Sequence, residues 1–282
     1  ADLWSTTEII VDSTTYPPFQ KYIKTRGMIF AAISDETISD DFLRKVATTV
    51  TQLIPDAAES ATYNRTKQEE MITILAQKRT LIPIVPIGNI FGDLSQEESA
   101  QLDQIQDDYS SCDVIIQLAA GDPNQPMEVV KHVLHHLNMI GLNYLMYDQW
   151  GMSPQSVLFT QLVEALQQEY FSIPPYQDEM GNYQNIALDP IPLQQYSYWL
   201  LSTWMDLVVD YGPPVEVVEE EWQLYTPALL QEQQPQAYAL CVETLTDILA
   251  TPTNLPEYAT ITTTTAAAAA AAAAKRRMCL QR

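Results

Sequence analysis

The chain is poor in cysteine and glycine, and both shortages exclude classes of protein. Its 282 residues include three cysteines, Cys112, Cys241 and Cys279, too few and too scattered for a disulfide-dense scaffold or a cysteine-based zinc site. One bridge between Cys112 and Cys241 and two buried free thiols both fit this pattern. The eight glycines never form a Gly-rich phosphate loop. We therefore expect no nucleotide site.

Basic residues are also scarce, and long apolar runs are missing. Fourteen lysines and arginines stand against 36 acidic residues, a formal net charge of -22. This charge repels phosphate backbones and anionic membrane surfaces. No apolar run approaches the ~20 residues that cross a bilayer. We therefore predict no nucleic-acid partner and no membrane insertion.

The acidic composition favours an extracellular protein. Acidity without long acidic runs, combined with many aromatic residues, is typical of a folded protein kept soluble in salt or divalent cations. The chain begins with Ala1 instead of Met, as a chain trimmed by signal peptidase would, although a chain shortened in another way begins identically. We expect a secreted or extracellular location.

The spacing of apolar residues predicts an α+β fold, with an N-terminal mixed α/β sheet part followed by a mainly helical C-terminal part. Residues 1–125 and 126–255 form one continuous domain in this interpretation, and 256–282 are a low-complexity tail. Pro83 and Pro86 would each remove a ladder donor, which favours an edge strand or the lip of a cleft for the strand over 81–87. The predicted strands are 8–12, 27–33, 81–87 and 114–118. The predicted helices are 40–54, 67–78, a short one between 88 and 112, 127–140, 154–169, 192–209 and 238–249.

All three histidines, His132, His135 and His136, fall within five residues of one predicted helix. At about 100° per residue, Glu128 shares their face, and the opposite face is apolar. We expect the apolar side to dock on the sheet and the imidazoles to face a cleft or solvent. The alternative is a helix whose histidines hydrogen-bond locally or contact a partner.

His132 and His136 stand four residues apart, which lets two imidazole nitrogens converge on one tetrahedral metal. They are the predicted metal ligands, with Glu128 as a third. The metalloprotease pattern His-Glu-x-x-His places a general base after the first histidine, where this chain has Val133. Because valine cannot move a proton, hydrolysis by that route loses a step worth roughly 10²–10⁴-fold. We therefore predict no catalytic residue.

The run from His132 to Leu142 resembles the active-site helix and glycine turn of zincin-like metalloproteases of the anthrax lethal factor type, with the glutamate replaced. The similarity extends over about residues 27–210. In that family a later helix opens with a glutamate ligand followed by aromatic residues, and the similar stretch here begins at Gln195. The order of the front elements is also similar: a strand over 28–33, a helix over 40–53, a strand over 81–87 and the acidic loop Gly92-Asp93-Leu94.

This resemblance implies a degenerate zincin-like fold in which Gln195 takes the place of the third ligand. A site of two histidines and an amide supplies no anionic ligand and would hold zinc weakly. The expected cofactor is therefore none, or a weakly held zinc ion. The resemblance implies a retained fold whose chemistry is lost.

Three functions remain open from the sequence. The first is a noncatalytic extracellular protein that binds other protein chains or copies of itself in a surface assembly. The second is a zinc-dependent peptidase whose general base comes from elsewhere, with Glu128 as the nearest candidate. The third is a metal-binding protein without catalysis, using Glu128, His132 and His136.

Overall fold

The computed structural model describes residues 2–34, 36–59, 62–88, 94–178, 182–212 and 220–258. Its N-terminal part contains a five-stranded sheet in the order β1-β2-β3-β4-β5. The first two pairings are antiparallel and the last two are parallel, so the sheet is mixed. The strands are β1 (Ile10–Val11), β2 (Lys21–Thr25), β3 (Met28–Ala32), β4 (Leu81–Pro86) and β5 (Ile115–Gln117).

Strand β2 was absent from the sequence prediction, because its lysines interrupt the apolar pattern by which a buried strand is recognised. Lys21 is nonetheless 2% exposed and donates to Asp40 Oδ1 at 2.9 Å, so a salt bridge accompanies its burial. The tight turn to β3 places Arg26 and Gly27 at positive φ. A two-residue hairpin turn needs this conformation to match the right-handed twist of the strands that it joins. A side chain at Gly27 would come within 2.3 Å of the Ile72 carbonyl oxygen, so only glycine fits there.

The prediction that its prolines place β4 at an edge is wrong, because β4 lies between β3 and β5. Both prolines are tolerated because of the side of β4 to which the backbone nitrogen of each one points. Even-numbered residues of β4 bond to β3, as Ile84 does with Ile33 N–H, and odd-numbered residues face β5. Pro83 faces β5 before its ladder begins at Ile84, and Pro86 faces β3 after that ladder has ended. Neither ladder therefore loses a donor.

The helices confirm the coarse prediction of a mixed sheet followed by a mainly helical part. Ser39 accepts from Phe42 N–H at the start of the first helix. A π-helical turn, Leu137–Leu142, continues the histidine helix directly. The helices are α1 (Asp40–Leu53), α2 (Arg65–Gln77), α3 (Gln96–Asp108), α4 (Gln125–His136), α5 (Asn143–Leu145), α6 (Tyr147–Trp150), α7 (Val157–Gln167), α8 (Ile191–Trp204), α9 (Leu207–Tyr211), α10 (Pro227–Gln233) and α11 (Pro235–Leu245).

One apolar core joins the two parts of the chain. It contains Phe30 and Ile84 from the sheet, Val133 from α4 and Leu200 from α8, all 0% exposed. No helix among the described residues is both long enough and apolar enough to cross a membrane. The predicted Gly92-Asp93 loop and the tail beyond residue 258 lie outside the described residues.

Aromatic rings fill the core of the helical part. Phe171, Tyr196 and Trp222, called here the aromatic cluster, contact one another with ring centroids 5.7–6.1 Å apart. Trp222 Nε1 donates to Thr203 Oγ1 and to the Leu224 carbonyl oxygen, both at 2.9 Å. Tyr196 donates to Gln234 Oε1 at 3.2 Å. Each buried polar atom of these two rings thus has a neutral partner, as tyrosines and tryptophans in cores usually do.

Candidate functional site: a buried histidine cluster

All three histidines of α4 are 0% exposed, so the prediction that they face a cleft or solvent is wrong. The helix is buried nearly all round because the segment that leads into β5 covers its polar face. Tyr198 of α8 adds a second cover, with its ring edge-on to His135 at a centroid distance of 5.8 Å. Glu128, Asp113 and the three histidines are called here the histidine cluster.

The polar face of α4 closes the free edge of β5. Gln125 accepts from Leu118 N–H at 2.6 Å and donates to the Ile116 carbonyl oxygen at 3.0 Å. Glu128 Oε1 accepts from Ile116 N–H at 3.3 Å. An unpaired strand edge must find partners when it is covered, and these helix side chains supply them. The face that looked like a site in the sequence therefore also has a structural task.

His132 lies between two carboxylates. Its Nε2 is 2.8 Å from Glu128 Oε1, one helical turn earlier, and its Nδ1 is 2.7 Å from Asp113 Oδ2. Burial alone would lower the pKa of His132, but the negative charges of Asp113 and Glu128 outweigh it and raise that pKa. The two carboxylates therefore favour the charged, imidazolium form of His132.

His135 shares the Asp113 carboxylate, and its Nδ1 is 2.7 Å from the same oxygen, Oδ2. Its Nε2 is buried and has no hydrogen-bond partner among the described residues. Burial lowers the pKa of His135 to about 3, against a smaller opposing effect of Asp113. This imidazole stays neutral at ordinary pH.

His136 has a different environment from its neighbour. Its Nδ1 is 2.7 Å from the His132 carbonyl oxygen, and its Nε2 accepts from Cys112 N–H at 3.2 Å. Burial lowers its pKa to about 4. Because both ring nitrogens contact the backbone, His136 fastens α4 to the chain before β5 and has no lone pair left for a metal.

Asp113 is the member of the histidine cluster that the sequence did not predict. It immediately precedes the apolar run that forms β5, and its Oδ1 accepts from Val114 N–H at 2.8 Å. Burial would raise its pKa, but His132 and His135 together bring it well below the ordinary value. The available signal was a lone carboxylate at the start of a buried strand. It has meaning only once the histidine helix is known to pack beside it.

The structure thus brings together only some of the predicted ligands. Glu128 and His132 are in contact, whereas His136 faces the backbone. Gln195 is half-buried in the first turns of α8, three residues before the Tyr198 that touches His135. Among the described His, Cys, Asp and Glu residues, the group whose ligand atoms converge within 4.8 Å of one another is Asp113, His132 and His135.

The two described cysteines do not bridge each other. Cys241 is a fully buried thiol in α11, and burial raises its pKa well above the ordinary value. Cys112 is half-buried beside the histidine cluster, where its N–H donates to His136. Of the two alternatives left open by the sequence, the unbridged one is observed for this pair.

Comparisons of the chain with protein-family models, with curated proteins and with solved structures gave no significant match. The resemblance to zincin-like metalloproteases is therefore neither supported nor contradicted by a relative. The functional argument depends on the geometry of the histidine cluster itself.

Proposed function

We propose that this protein is noncatalytic and acts outside the cell by binding other protein chains, on a frame that we compare with a degenerate zincin-like fold. The observation that carries the proposal is the internal use of the polar face of α4. Gln125, Glu128 and His136 all bond to backbone groups of the segment around β5. A helix whose polar side chains hold its own sheet edge does not present them to a substrate.

Hydrolysis by a metal-bound water would need an open coordination position that a substrate can reach. His132 and His136 are fully buried, and His136 has both ring nitrogens engaged. Glu128, the candidate base, already accepts from Ile116 N–H and contacts His132. These contacts support a noncatalytic role over the peptidase alternative.

The opposite edge of the sheet is the candidate binding surface. Within the part of the chain that the structure describes, no strand pairs with the outer side of β1. Ile10 and Val11 are 38% and 65% exposed there. Exposed apolar edge strands are templates for pairing with a strand of another chain. The net charge of -22 opposes pairing between copies, so self-association should strengthen as salt screens it.

Sedimentation of the purified protein at low and physiological ionic strength tests this proposal. We expect a salt-promoted oligomer that Val11→Lys abolishes, because a lysine on an edge strand blocks pairing. Val242→Lys is the matched control, since Val242 is 41% exposed on the helix α11. A monomer under every condition that also captures no partner, or chelator-sensitive peptide cleavage, would contradict the proposal.

A further inference from the structure

We infer that Asp113, His132 and His135 form a buried site with three protein ligands for a divalent transition-metal ion of the Zn²⁺ type, which joins α4 to the chain before β5. This site differs from the sequence-based set of Glu128, His132 and His136. It also goes beyond the proposed function, because it needs no partner chain and no catalysis.

The convergence of three ligand atoms is the first argument. Asp113 Oδ2 is 2.7 Å from both His132 Nδ1 and His135 Nδ1. Two imidazole nitrogens and one carboxylate oxygen are ligands that Zn²⁺ takes in proteins, at about 2.0–2.2 Å. Side-chain rotations that separate the three atoms by about 0.5 Å would admit an ion at such distances.

The second argument is that neighbouring groups already orient the ligands. Glu128 Oε1 lies 2.8 Å from His132 Nε2, so it holds a proton on that nitrogen and leaves the Nδ1 lone pair directed towards Asp113. Val114 N–H donates to Asp113 Oδ1, which leaves Oδ2 as the ligand oxygen. A carboxylate behind a ligating histidine is the usual support of a metal site.

The third argument is charge. Asp113 and Glu128 carry −1 each, their side chains are only 12% and 13% exposed, and uncompensated charge at such depth is costly. A divalent ion bound beside them gives −1 − 1 + 2 = 0. Lys131 is half-buried 5.0 Å from the Tyr198 ring centroid and so remains in contact with water. The ion therefore balances the charges that the fold encloses.

His135 and His136 provide a matched pair of variants, because both are fully buried neighbours on α4 and only His135 Nδ1 faces Asp113. The experiment uses the full chain, stripped with a chelator and titrated with Zn²⁺. We expect one Zn²⁺ per chain by elemental analysis and a rise in melting temperature. We expect His135→Gln and Asp113→Asn to weaken Zn²⁺ binding at least ~100-fold, and His136→Gln to keep it.

Glu128→Gln should keep the stoichiometry and weaken affinity by roughly 10–100-fold, as loss of a supporting carboxylate does. Co²⁺ binding to the unmutated protein is a second measurement, and it does not depend on whether the variants fold. A low-symmetry site of nitrogen and oxygen ligands gives bound Co²⁺ intense visible absorption. No bound Zn²⁺ in the unmutated protein, or a featureless Co²⁺ spectrum, would overturn the site. So would loss of binding in His136→Gln with retention in His135→Gln.

Discussion

The histidine cluster and the aromatic cluster bury polar atoms at similar depth but satisfy them in opposite ways. In the aromatic cluster, Trp222 and Tyr196 donate to hydroxyl, carbonyl and amide oxygens, so each contact is neutral. In the histidine cluster, His132 lies between two carboxylates and the adjacent His135 shares one of them. One cluster is held by packing and neutral hydrogen bonds, and the other by charge.

This difference indicates which buried region depends on solution conditions. A neutral hydrogen bond contributes about 1 kcal/mol and changes little with pH. A buried ion pair stabilises the fold only while both partners keep their charge, and a single lost partner leaves the other unpaired. We therefore expect changes in pH or sequence at the histidine cluster to alter the free energy of unfolding more than changes at the aromatic cluster.

The largest expected effect is that of acid on the metal-free protein. The pKa values of His135 and His136 are lowered to about 3 and about 4. In mild acid these two histidines are therefore protonated in the unfolded chain but not in the folded chain. Stability therefore falls as pH drops from about 6.5 towards 4, by on the order of 5 kcal/mol in total. Urea unfolding at a series of pH values measures this.

The other members of the cluster shape the remainder of that profile. The raised pKa of His132 contributes stability below about pH 6.5 that is lost as pH rises through the folded value. The lowered pKa of Asp113 contributes stability that is lost only in stronger acid. His136→Gln should remove about half of the acid slope. A flat profile between pH 4 and 6.5 would contradict these assignments.

Asp113→Asn should have the next largest effect at neutral pH in the metal-free protein. Loss of the carboxylate leaves His132 with one negative partner and should cost about 3–5 kcal/mol of unfolding free energy. The matched control is Asp41→Asn, the same change at a carboxylate that is 61% exposed and pairs with Lys45, where we expect under about 0.5 kcal/mol. Equal effects of the two variants in urea unfolding would contradict a charge-held cluster.

Trp222→Phe should destabilise the aromatic cluster by about 2 kcal/mol, because it removes two hydrogen bonds and leaves a small cavity. This loss should be independent of pH from 4 to 7, because the indole of Trp222 does not titrate. Unfolding free energies at the two pH values measure it. A pH-dependent loss would show that the two regions are coupled.

Tyr196→Phe should give the smallest effect, about 1 kcal/mol. It removes only the donation to Gln234 Oε1 and keeps the ring contacts with Phe171 and Trp222. Thermal unfolding compared with the unmutated protein provides the measurement. A loss of stability as large as that of Asp113→Asn would contradict the proposed difference between the neutral and the charged cluster.

Much of the fold could be predicted from apolar spacing because its helices and buried strands have strong periodic patterns. The strand β2 could not, since Lys21 and Lys24 break its apolar pattern and the burial of Lys21 depends on Asp40, a residue of another element. The position of β4 was also misjudged. Pro83 and Pro86 are tolerated because of where the neighbouring ladders begin and end, which local sequence does not specify.

The histidine helix illustrates the same limit for the site. Its periodicity placed His132 and Glu128 correctly on one face, and both belong to the cluster. Periodicity could not reveal that the chain before β5 covers this face, that His136 contacts the backbone, or that Asp113 approaches from 19 residues earlier. Spacing within one helix predicts which side chains share a face, whereas the residues that this face contacts depend on tertiary packing.

The closure of β5 by Gln125 and Glu128 also sets a limit on assembly. A sheet with two available edges can add copies at both and grow into a filament, whereas a sheet with one available edge cannot. Two copies that pair their β1 strands antiparallel would be related by a two-fold axis, and each would present its sealed side outward. Association through the sheet would therefore stop at a dimer.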